Sequence, residues 1–201
     1  MAKKPMSKKV APKGVVAAAP TKIKYVVGDM FGPLKARTDD ALIVLPHCCN
    51  NVGAWGAGFV VPLGRNYPQA QQAYLDWPKQ KLDSLADSFV LGGVQNVRVN
   101  DKPQIHVFNM VAQTLGGMSR PLRYDCLAQC MMKVVDFIRC NRPDNDKIEI
   151  HAPMFGSNLA GGDWNFIEQL VIDTWCKRSY PVTIYYMPGT EPKNWTPPKD
   201  E

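Results

Sequence analysis

The sequence predicts a three-layer α/β/α domain with a mixed central sheet, and two observations carry that reading. Short apolar runs rich in β-branched residues alternate with longer amphipathic segments in the order β, β, α, β, β, α, β, α, β. Two of the runs, ALIVLP at 41–46 and IEIHA at 148–152, end in glycine-containing loops that turn into helices. In open α/β sheets, ligands sit at the carboxyl ends of strands, where loops of this kind lie.

Each element has its own signal. Ile23 to Val27 reads as a strand ending at Gly28-Asp29, with Phe31-Gly32-Pro33 as a turn. Ala41 to Pro46 is a buried strand, followed by a polar patch from His47 to Asn51. Val60 to Trp77 is helical in pieces, because Pro62 and Pro68 forbid one continuous helix. Phe89 to Val99 and Gln104 to Met110 are strands, the first kinked or bulged at Gly92-Gly93. Arg123 to Cys140 is the clearest helix, with Leu127, Met131, Val134, Val135 and Ile138 on one stripe. Lys147 to Ala152 is a strand stopped by Pro153, and Asp163 is placed to cap a helix running to about Arg178. Trp164, Ile167, Leu170, Val171 and Trp175 give that helix its core face, and Val182 to Met187 closes the sheet.

A chain of 201 residues holds one domain with a full core. Its net charge of +6 is uneven: residues 1–24 carry seven lysines and no acid, so the remainder is close to neutral. Residues 1–22 are expected to be a disordered basic tail, solvated or making a weak nucleic-acid contact, and 188–201 a Pro-rich tail with no reason to fold. The apolar run Val15 to Ala19 is too short for a signal-peptide core or a membrane span, and the basic segment lacks arginine. A cytoplasmic protein with no membrane association is therefore expected. Six cysteines without a C-x-x-C pair fit reduced thiols, and Cys126 and Cys130, four apart on a helix, fit packing. No zinc-like spacing is visible, so no metal and no cofactor are expected.

The loop Gly53-x-x-Gly56-x-Gly58 is a phosphate-cradle candidate, since glycines let backbone N–H groups approach an anion closely. It is not G-x-G-x-x-G, and G-x-x-x-x-G-K-[ST] is absent, which argues against a P-loop NTPase. A second loop, MFGSNLAGG at 154–162, gives two such turns, and two that converge make a cleft for a ligand with two phosphates.

Four blocks in order, GDMF at Gly28, HCCNNVGAWGAG at His47, NMVAQ at Asn109 and APMFGSNLAGGDW at Ala152, resemble a macro domain, the ADP-ribose-binding module. The resemblance spans about residues 23 to 187 and is to the branch of ADP-ribose-1″-phosphate phosphatases and the terminal ADP-ribose glycohydrolase. It implies ADP-ribose or ADP-ribose-1″-phosphate as the ligand. It assigns Asp29 to the adenine amino group, with Met30 beside it, and Asn50 to the distal ribose. Gly53, Gly56, Ala57 and Gly58 then face Phe155, Gly156, Ser157, Asn158, Leu159, Ala160 and Gly161 across the pyrophosphate and proximal ribose. Asp29 alternatively caps the turn before Phe31, and Phe155 alternatively belongs to the core.

The match to the glycohydrolase is incomplete where its chemistry lies. No lysine stands in Met110 to Thr114, and Ala160 occupies the place of an aspartate, so a lysyl covalent mechanism is lost. Phosphate removal needs an oriented water and a group that moves a proton. His47 is the titratable candidate, or else a buried histidine bonded to its surroundings; Asp163 is the candidate base, or else an N-cap. His106 and His151 lie within strands and are read as structural. The expected function is a macro-domain hydrolase acting on ADP-ribose derivatives, first of all the 1″-phosphate; the alternatives are a non-catalytic reader and a de-ADP-ribosylating hydrolase.

Overall fold

A computed structural model describes residues 22–80, 88–116, 121–141 and 147–192. Both expected tails lie largely outside these residues, namely 1–21 and 193–201, as does any nucleic-acid contact made by the lysines there. The strands are β1 (Lys24–Val27), β2 (Leu42–Asn50), β3 (Val94–Asp101), β4 (Gln104–Gln113), β5 (Ile148–Pro153) and β6 (Val182–Tyr186). The helices are α1 (Phe31–Lys35), α2 (Val60–Asn66), α3 (Pro68–Asp76), α4 (Tyr124–Asn141) and α5 (Trp164–Thr174). The sheet order is β1-β6-β5-β2-β4-β3, parallel throughout except for β3 against β4. This is the mixed three-layer sheet that the alternation of elements predicts.

β2 is central because both of its faces are covered. Leu42 and Val44 join a core with α4 and α5, whereas Ile43 and Leu45 join a second core with α1 and α2. A strand buried on both sides reads as an unbroken apolar run, which is why LIVL lacks polar alternation. The α4 stripe is fully buried at all five positions, and Cys126 and Cys130 pack in the same core.

Several boundaries differ from the sequence reading, each for a physical reason. Phe31 to Lys35 is a short helix rather than a turn, because Pro33 lies in its first turn, where a missing N–H breaks no bond. Pro62 interrupts nothing for the same reason; only Pro68, first residue of α3, separates it from α2 at Tyr67. Gly92-Gly93 precedes β3, and the irregularity in that ladder falls at Arg98/Asn100 instead. The patch from His47 to Asn50 continues β2, since β4 supplies ladder partners as far as Gln113. α5 ends at Thr174, followed by a 3₁₀ turn from Cys176 to Arg178. After β6, residues 187–192 fold into a turn rather than a free tail: Thr190 Oγ1 donates to the Met187 carbonyl and accepts from its N–H, and Pro192 is buried.

Candidate functional site

Five parallel strands, β1, β6, β5, β2 and β4, end on one edge of the sheet. A cavity of about 1240 Å³ lies along that edge. Strands stand about 4.8 Å apart, so four intervals from β1 to β4 give a trough roughly 19 Å long. Because β2 and β5 are neighbours, the loops that follow them meet: a Cβ on Gly58 would lie 3.2 Å from Leu159 Cδ1. The two turns on which the sequence reading rests are thus side by side at the same end of the sheet.

Each loop is held in shape by its own bonds, which leaves a row of amides unspent. In the first, Asn50 Oδ1 accepts from the N–H groups of Val52 and Ala54, and Asn50 Nδ2 donates to the Ala54 carbonyl at 2.6 Å. In the second, Gly162 N–H closes on the Gly156 carbonyl at 2.9 Å, with Gly156 and Gly161 in the left-handed region at φ 73° and 67°. A Cβ at Gly162 would sit 2.4 Å from that carbonyl oxygen, so only glycine fits. Among the described residues, no hydrogen bond uses the N–H groups of residues 56–60 or 156–159. Concave runs of free amides are anion sites. Among the described residues no lysine or arginine lines the cavity, whereas Asp29, Asp163 and Glu191 do.

All the sequence-derived site residues except Gly53 line this cavity. Gly53, at φ 74°, shapes the turn instead, and a Cβ added to it would lie 3.3 Å from Pro78 Cγ. Asp29 caps α1 with both carboxylate oxygens, accepting from the N–H groups of Phe31 and Gly32, while remaining exposed at the cavity rim. Met30 and Ala160 are buried in the wall, and Leu159 is exposed. Phe155 is both core and wall, edge-on to Trp164 and Trp175. Ser157 Oγ donates back to the Met154 carbonyl.

The two catalytic candidates are not brought together. His47 lies toward the α2 layer between Trp55 and Phe59, 1% exposed, whereas Asp163 caps α5 on the other side of the sheet. Asn109 Nδ2 donates to Gln95 Oε1, which turns Asn109 Oδ1 toward His47 Nε2 at 2.6 Å. His47 Nε2 therefore carries the proton and donates. Burial pushes the ring's pKa down to about 4, partly offset by the Asn109 bond. The ring is held neutral by burial, with its Nε2 proton committed to Asn109. Asp163 is the N-cap, its Oδ1 accepting from Asn165 N–H at 3.0 Å, and it is exposed at the cavity.

Sequence reasoning missed several wall residues. Phe59 stacks on Phe31 with ring centroids 5.7 Å apart. Thr190 and Glu191 reach the rim from the turn after β6, which starts beside Asp29 because Val27 pairs with Tyr186. Tyr74, which donates to the Asn50 carbonyl at 2.6 Å, and Gln113 close the β4 end. The spacing of these residues carries no local signal; only the strand order assembles them.

No family sequence model matches the chain. It is 23% identical over 153 residues to the ADP-ribose 1″-phosphate phosphatase of Candida albicans, covering 73% of this chain and 89% of that protein. A macrodomain protein from Streptomyces coelicolor superposes with a TM-score of 0.63 at 34% identity, covering 82% of this chain and 99% of that one. Thermosipho africanus DarTG, solved in complex with ADP-ribose, shares the fold at a TM-score of 0.58 and 17% identity, over 86% of this chain and 44% of that chain. With a third of the aligned residues identical to the Streptomyces protein over nearly all of that structure, and with the same layered sheet, this chain belongs to the macrodomain family.

Proposed function

We propose that this macrodomain is a hydrolase acting on ADP-ribose derivatives, with the ADP-ribose 1″-phosphate monoester as substrate and ADP-ribose and inorganic phosphate as products. One observation carries the reading: two neighbouring runs of backbone amides, 56–60 and 156–159, make no hydrogen bond among the described residues and lie at the middle of a trough roughly 19 Å long. That arrangement suits a ligand with a diphosphate at its centre and a nucleoside-like group at either end. The name of the Candida relative and the ligand of the Thermosipho structure support the same choice.

Asp163 is the group proposed to orient and deprotonate the water that attacks phosphorus; the new P–O bond displaces the C1″ oxygen, which takes up the proton as ADP-ribose leaves. One of the Asp163 oxygens is held by Asn165 N–H, which fixes the carboxylate at the cavity while the other oxygen remains available. His47, neutral and committed to Asn109, contributes shape rather than protons. Among the described residues no cationic side chain lines the cavity to neutralise the phosphoryl group during transfer, so slow turnover is expected. The same lack of cations favours one second reading, a module that binds ADP-ribose without hydrolysing a derivative. Calorimetry with ADP-ribose and a phosphate-release assay on ADP-ribose 1″-phosphate decide between them. Binding with release that falls in Asp163→Ala supports the hydrolase; binding with no release leaves the reader; no binding overturns both.

A further inference from the structure

The order of the strands gives the cavity a direction. Asp29 and Glu191 mark its β1/β6 end, the amide rows its centre at β5 and β2, and β4 its far end. A ligand gripped at a central diphosphate, with its base toward Asp29, sends its second sugar and whatever that sugar carries toward β4. Among the described residues lining that end, the side chains of Leu115, Pro121 and Tyr74 offer no free donor. Leu115 is 46% exposed, Pro121 has no donor, and the Tyr74 hydroxyl proton is given to the Asn50 carbonyl. The Asn50 carboxamide is spent on its own loop. Gln113 is different. It is the last residue of β4, half-buried and lining the cavity, and among the described residues its side-chain amide makes no hydrogen bond. Its backbone is fixed on both sides, by Asn51 N–H donating to its carbonyl at 2.9 Å and by a bridge to Leu122.

We propose that Gln113 is the specificity-determining residue for the group at the far end of the ligand, its free carboxamide donating N–H to an oxygen on C1″ of the second sugar. The proposal rests on the ADP-ribose reading above and deepens it. A carboxamide N–H is a neutral donor that can meet either a hydroxyl oxygen or a phosphoryl oxygen and gains more from the charged one.

The test changes the sign of that position. Affinities for ADP-ribose and ADP-ribose 1″-phosphate are measured by calorimetry for the full chain and for Gln113→Ala, Gln113→Glu and Gln113→Lys. A carboxylate a few ångströms from a phosphate monoester is expected to weaken 1″-phosphate binding about tenfold, and an ammonium to strengthen it by a similar factor. ADP-ribose, which offers a neutral oxygen at the same place, is expected to weaken by a few fold in all three variants, with no opposite shift between Glu and Lys. Opposite shifts for Glu and Lys, confined to the 1″-phosphate, support the assignment; a structural role would move both ligands together. Equal changes for both ligands, or no change for either, overturn it. Wild-type protein that binds neither ligand overturns the underlying reading, and this proposal with it.

Discussion

Replacing Gly162 by alanine probes the second loop at its tightest point. The added methyl would meet the Gly156 carbonyl oxygen and Leu122 Cδ2 at 2.4 Å and Ile167 Cδ1 at 3.0 Å. An ordinary contact needs about 1 Å more, so the Gly162 N–H to Gly156 bond must open. Overpacking of this kind costs about 1–3 kcal/mol and the lost bond about 1 kcal/mol more. For a domain of this size, that total lowers Tm by about 5–15 °C. The loop amides move with Gly156, and a hydrogen bond to a charged phosphate is worth about 1.5–3 kcal/mol. Losing one weakens ADP-ribose binding by about 10–100-fold. Calorimetry on the folded variant, below its Tm, measures this directly. Gly58→Ala tests the opposing loop more gently: its φ of 74° strains alanine by about 1–2 kcal/mol, and its methyl meets only the far end of the Leu159 side chain. A Gly162→Ala protein with a reduced Tm and ADP-ribose affinity within twofold of wild type would refute the reasoning.

Three other outcomes are expected. Asp163→Ala removes the α5 cap, lowering stability by about 1 kcal/mol in denaturant unfolding, and abolishes phosphate release while ADP-ribose still binds. Tyr74→Phe deletes the donor to the Asn50 carbonyl and lowers stability by about 1 kcal/mol, with weaker ADP-ribose binding because the first loop loses its brace. His47 has a folded pKa of about 4 against an ordinary 6.5, so the unfolded chain takes up its proton first as pH falls. Its contribution is therefore complete above about pH 6.5 and is lost between there and pH 4, a difference of about 3 kcal/mol. Unfolding free energies of His47→Gln across that window should fall less steeply than those of wild type; identical slopes would show that the ring is not held neutral by burial.

The fold was legible wherever one residue pattern decided one element. The α4 stripe and the LIVL run are uniform because their surroundings are uniformly apolar, and Asp163 announced its helix by the bond it makes. The site was legible in its two glycine loops, whose backbone demands glycine locally, but not in its boundary. Gly53 looks identical in sequence to Gly56, yet it serves the turn while Gly56 faces the cavity. His47 reads as a titratable group until Trp55, Phe59 and Asn109, all brought in by tertiary packing, enclose it. Residues 188–192 read as part of a Pro-rich tail because Thr190 and Glu191 close their turn through side chains, bonds for which composition gives no sign. Gln113 and Tyr74 both flank Asn50, one as its β4 ladder partner and the other through its hydroxyl, although all three are distant in sequence.

The central claim, that two facing rows of backbone amides hold a diphosphate, is tested most directly by an amide-resolved NMR titration with ADP-ribose. The largest shifts are expected at residues 56–60 and 156–159 together, with smaller ones at Asp29 and Gln113. Saturable binding that leaves either row unmoved, or that shifts amides elsewhere on the sheet, would contradict it.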